Sequence, residues 1–69
     1  MNAGRLIHDA NQIALYFAAY PHDEAVAGIA DHIRKFWDPR MRASLRVILD
    51  ANDETLHLLV RQAGEKLKP

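Results

Sequence analysis

The stretch His32-Ile33-Arg34-Lys35-Phe36-Trp37-Asp38-Pro39-Arg40-Met41-Arg42 decides how this chain folds. Aspartate before proline is a helix-start signal. Asp38 can accept hydrogen bonds from free backbone amides, and Pro39 fills the first helical position with no donor to lose. One helix therefore ends at Trp37 and another begins at Pro39. The junction holds the only tryptophan and one of the two phenylalanines, with Arg40, Met41 and Arg42 directly beyond it. These are residue types that anchor protein interfaces. The stretch contains neither a nucleophile paired with a base nor a cluster of metal ligands, so its chemistry is that of a helical interaction module.

Upstream, Pro21, His22, Asp23 and Glu24 open the helix that the junction closes, since proline fits a helix start and carboxylates favour the positive end of the dipole. Val26, Ile29, Ala30, Ile33, Phe36 and Trp37 form its apolar face, and Asp31 and Lys35 are spaced as a surface ion pair. Gly28 lies mid-helix at a cost of about 1 kcal/mol relative to alanine, which close approach by another backbone would offset. Further upstream, Leu6, Ala10, Ile13 and Phe17 recur on one helical face, widened by Ile7 and Ala14. Tyr20, preceding Pro21, is biased out of helical geometry and stops that first helix.

Downstream, Met41, Leu45 and Ile48 point inward from the third helix, with Leu49 flanking. Asn52-Asp53-Glu54 supplies a capping residue and two carboxylates, the pattern of a fourth helix start. Leu56, Leu59, Val60, Ala63 and Leu67 make its stripe, and Gly64 with the Lys66-Leu67-Lys68-Pro69 tail suggests fraying at its end. The expectation is an all-α single domain spanning the chain, with four short helices at about 3–19, 22–37, 39–51 and 53–66. Three apolar residues fall off the stripes: Leu15, Val47 and Leu58. Either they are the scattered apolar residues common on surfaces, or they mark a partner.

The 69 residues form one small domain at most, of a size at which core burial barely exceeds conformational entropy. The absence of cysteine excludes disulfides, thiolate nucleophiles and iron–sulfur ligation. Extra stability must come from helix packing or from a partner. Nine basic and nine acidic residues cancel, so no net field steers the chain to nucleic acid or to an anionic membrane. No stretch reads as a signal peptide or a membrane span.

His8, His22, His32 and His57 are fourteen, ten and twenty-five positions apart, and no two share the three- or four-residue spacing of ligands on one helix face. Four short helices can hardly fill a core and also leave a dry pocket for acid–base chemistry, so the chain reads as no independent enzyme. A helix-turn-helix reading would place Arg40, Arg42 and Arg46 on a phosphate backbone. Zero net charge and the approach of Asp38 to that phosphate argue against it. A self-associating module would bury the off-stripe leucines in a homodimer.

Ala10-Asn11-Gln12-Ile13-Ala14 with Phe17, then Pro21 to Ala30, then Asp31-His32-Ile33 with Phe36-Trp37-Asp38-Pro39-Arg40-Met41-Arg42, resembles the delta subunit of the NAD-dependent, molybdenum- or tungsten-containing formate dehydrogenases. The likeness runs from about Leu6 to Ala63, and its specific part is Asp31 to Arg42. It implies a small cytoplasmic accessory subunit, with no cofactor on this chain, that binds the catalytic alpha subunit and stabilises the complex or helps it mature. In the family, that larger subunit carries the bis-molybdopterin guanine dinucleotide metal centre, and other chains pass electrons to NAD. The contact residues expected here are Phe36, Trp37, Arg40, Met41, Arg42 and Leu15. As an alternative, a cofactor-insertion chaperone would use the same arginines on pterin phosphates.

Overall fold

The structure, a computed structural model, describes residues 2–68; Met1 and Pro69 lie outside it. It is all-α, with α1 at Ala3–Phe17, α2 at His22–Phe36, α3 at Pro39–Asp50 and α4 at Leu58–Lys66. At the junction, Asp38 Oδ1 accepts from the Met41 backbone N–H at 2.8 Å with Pro39 in the first turn, as the Asp-Pro signal predicts. Asn2 caps α1 in the same way, accepting from the Arg5 N–H at 2.8 Å. The ends of α2 carry Asp23 and Glu24 in the first turn and Arg34 and Lys35 in the last, both favourable to its dipole.

The fourth helix starts at Leu58, five residues later than the capping pattern at Asn52-Asp53-Glu54 suggests. That pattern serves the end of α3 instead. Asn52 adopts a left-handed conformation (φ 55°). Its N–H donates to the Leu49 carbonyl at 3.0 Å, and the Asp53 N–H donates to the Ile48 carbonyl at 3.4 Å. These are the paired bonds of a Schellman stop, with asparagine in the place glycine usually takes. Asp53 Oδ1 then accepts from the Thr55 backbone N–H at 2.9 Å, which folds a tight turn rather than a helix. His57 caps α4, its Nδ1 accepting from the Leu59 N–H at 3.0 Å.

Asn11 on α1 holds this connection from outside. Its side-chain amide donates to the Thr55 carbonyl and accepts from the His57 N–H, both at 2.8 Å, so one side chain satisfies two backbone groups of the linker. Leu56 lies between those two anchor points and is fully buried.

The core is built from Leu6, Ile29, Ile33, Leu45, Leu56 and Val60, and α2 packs chiefly against α4 and α1. Ala10, Ala14, Ala30 and Ala63 are also buried, and such small residues let helix backbones approach closely. Gly28 is such a contact, although its neighbour is the Phe17 ring rather than a backbone. A Cβ there would stand 2.5 Å from Phe17 Cε1. Gly64, expected to loosen the end of α4, is buried within it against Leu49, and α4 runs on to Lys66.

Candidate functional site

The two junction aromatics separate. Trp37, in extended conformation after the last turn of α2, is 7% exposed and belongs to the core, whereas Phe36 is 72% exposed. Both lie near the end of one stripe, and the core takes only the residue that leaves the helix and can reach inward. The Trp37 ring is therefore packed inside the chain rather than displayed beside Phe36. Met41 is half-buried against the core.

Arg42 turns back onto α2, where its Nη1 donates to the Trp37 carbonyl and to the Arg34 carbonyl, the latter at 3.3 Å. Its charge is thus placed at the negative end of the α2 dipole. Arg34 and Arg46 do the same for α4: Arg34 Nη2 donates to the Lys66 carbonyl at 2.9 Å, and Arg46 Nη2 to the Gly64 carbonyl at 2.6 Å. Of the six residues expected at a partner contact, Leu15, Phe36 and Arg40 are exposed, and Leu15 stands on α1 away from the junction. Leu15, Val47 and Leu58, the residues off the stripes, are each more than half exposed.

A surface that the sequence reading did not single out lies along α1 and α2. An open groove of about 560 Å³ is lined by Gln12, Ile13, Tyr16, Phe17 and His32. At one end Tyr16 meets Phe17 edge-on with ring centroids 5.0 Å apart, and Tyr20 lies 5.8 Å from Phe17. At the other end Phe36 rests against His32 at 4.9 Å. Tyr16, first by hydrogen bonding and then by charge, raises the pKa of Tyr20 above its ordinary 10.0. The signal for this face was present in the sequence, because Tyr16 and Tyr20 are four apart and His32 and Phe36 are four apart.

Among the described residues, no three His, Asp or Glu side chains gather as metal ligands, and no helix is long and apolar enough to cross a membrane. A polar depression of about 420 Å³ beside Asn52 and Leu58 mixes Arg46, Arg61 and Lys68 with Asp50 and Glu65. With opposite charges interspersed it selects neither anion nor cation. The groove between α1 and α2 offers apolar and hydrogen-bonding side chains.

Residues 5–63 match the family model described as NADH-dependent formate dehydrogenase delta subunit FdsD. No curated protein and no solved structure matches the chain.

Proposed function

We propose, from the premise that this chain belongs to the NADH-dependent formate dehydrogenase delta subunit family, that it is a non-catalytic accessory subunit. It binds the catalytic alpha subunit of a cytoplasmic formate dehydrogenase and stabilises that complex or assists its maturation. It holds no cofactor itself. The observation that carries this reading is the exposure of Tyr16, Tyr20 and Phe36 on a scaffold whose core is already complete without them. Three large aromatics in water are an unusual cost for a domain this small unless a partner covers them.

The mechanism is binding energy rather than chemistry. A subunit that attaches only to the folded catalytic subunit stabilises it by about 2.7 kcal/mol when free at a hundred times its dissociation constant. Leu15, Phe36 and Arg40 are the junction and α1 residues available for contact, while Trp37, Met41 and Arg42 keep the α2–α3 corner in shape. The chaperone alternative draws less support, because Arg42 is committed to backbone carbonyls and would have to leave them to meet a pterin phosphate.

The test is co-purification of the tagged chain with the dehydrogenase subunits, comparing yield, metal content and activity with and without it. Retention in the active complex, with yield or thermal stability lost in its absence, supports the accessory role. Association solely with cofactor-free catalytic subunit transfers the role to cofactor insertion. Absence of association in both states overturns the reading.

A further inference from the structure

We infer that the seam between α1 and α2 is a docking groove for an amphipathic helix of the catalytic subunit, an inference that rests on the accessory-subunit reading above. The first support is shape. The walls are two helices joined by a short turn, and a groove between such helices suits a third helix whose side-chain ridge enters it.

The second is area. Tyr16 is 68% exposed, Tyr20 47% and Phe36 72%. At about 200 Å² per aromatic side chain they leave on the order of 400 Å² of aromatic surface in water. That is about half of the ~800 Å² that one side of a standard protein interface buries, close to the share its apolar part occupies. The surface suits a macromolecular partner, because an open groove of this kind cannot enclose a small molecule.

The third is charge. Two ion pairs on these helices are internal: Arg5 with Asp9 at 3.5 Å on α1, and Lys35 with Asp31 at 3.0 Å on α2. The five residues that line the groove include no Asp, Glu, Lys or Arg, so the groove itself offers little to a phosphate or a charged peptide. It is complementary to an uncharged apolar stripe of Leu, Ile, Val or Met, flanked by polar side chains that meet Gln12, His32 and the tyrosine hydroxyls.

The test uses the full chain co-expressed with the dehydrogenase subunits. A photo-reactive benzoylphenylalanine in place of Tyr16 is expected to cross-link to the catalytic subunit, within a segment that is helical there. The double substitution Tyr16→Ser with Phe36→Ser is expected to lower retention at least tenfold while leaving the circular-dichroism spectrum unchanged. Val47→Ser, an equally exposed change on α3, is expected to leave retention as in the wild type. If the wild-type chain is not retained at all, the accessory reading fails and this inference with it. If the wild type is retained and the double variant equally so, the groove alone is overturned, as it is by a cross-link to a second copy of this chain.

Discussion

Asn11 is the residue whose part in the fold is least visible in its own neighbourhood. On α1 it is an ordinary polar position beside the apolar stripe, yet its amide ties down Thr55 and His57 more than forty residues away. Asn11→Ala removes two bonds worth roughly 0.5–1.5 kcal/mol each. We expect a loss of about 1–2 kcal/mol in urea unfolding, with faster hydrogen exchange at the His57 amide as the local signature. Gly28 presents opposing effects. Alanine there recovers about 1 kcal/mol of helix propensity but sets a methyl against the Phe17 ring, and overpacking costs about 1–3 kcal/mol. Phe17 is held between Tyr16 and Tyr20, so the clash outweighs the propensity. Gly28→Ala should therefore destabilise by about 1 kcal/mol, read by thermal unfolding.

At the scale of elements, arginines occupy the exits of helices. Arg34 and Arg46 converge on the last carbonyls of α4, the shortest of the four helices, where unsatisfied carbonyls and the negative dipole end coincide. Replacing either with alanine is expected to cost about 1 kcal/mol, a fall of roughly 4–8 °C in melting temperature. Arg46 also reaches Asp50 Oδ1 at 3.5 Å, so its loss includes a weak exposed ion pair beside the carbonyl contact. The turn before α4 behaves differently. Hydrogen bonds from the Thr55 side chain and backbone hold the Asp53 carboxyl below its ordinary 3.8. A depressed carboxylate contributes stability that is present at neutral pH and lost as pH falls through its folded pKa. Asp53→Asn should accordingly flatten the acid limb of the melting curve below about pH 4, with wild type falling toward the variant as pH drops. The late start of α4 was illegible in sequence for a related reason. Asn52-Asp53-Glu54 has the composition of a helix start, but the same residue types also stop helices and build turns, and here the second use is joined to a long-range anchor on Asn11 that local sequence does not reveal.

For the whole molecule, a core of six fully buried large side chains in 69 residues supports modest stability. We expect the isolated chain to unfold in urea in one transition with about 3–5 kcal/mol, and its melting temperature to rise when the catalytic subunit is added in excess. A chain whose melting temperature is unaffected by that addition would not be bound in its folded form. Such dependence follows from size. Four short helices bury their stripes against one another, and Tyr16, Tyr20 and Phe36, on and between α1 and α2, stay exposed.

Local chemistry by itself determined the helical class, the Asp38-Pro39 junction with its capped third helix, the proline and carboxylates that open the second, and the exposure of Leu15, Val47 and Leu58. These depend on neighbours within a turn or two, so periodicity and capping report them directly. Tertiary structure alone decided that Trp37 joins the core while Phe36 stays in water, that Arg42 folds back onto the carbonyls at the end of α2, and that Asn11 anchors the linker before α4 starts at Leu58. Each of those outcomes is a choice between two locally acceptable positions, and the choice is made by which helix end, carbonyl or ring the packed chain brings within reach.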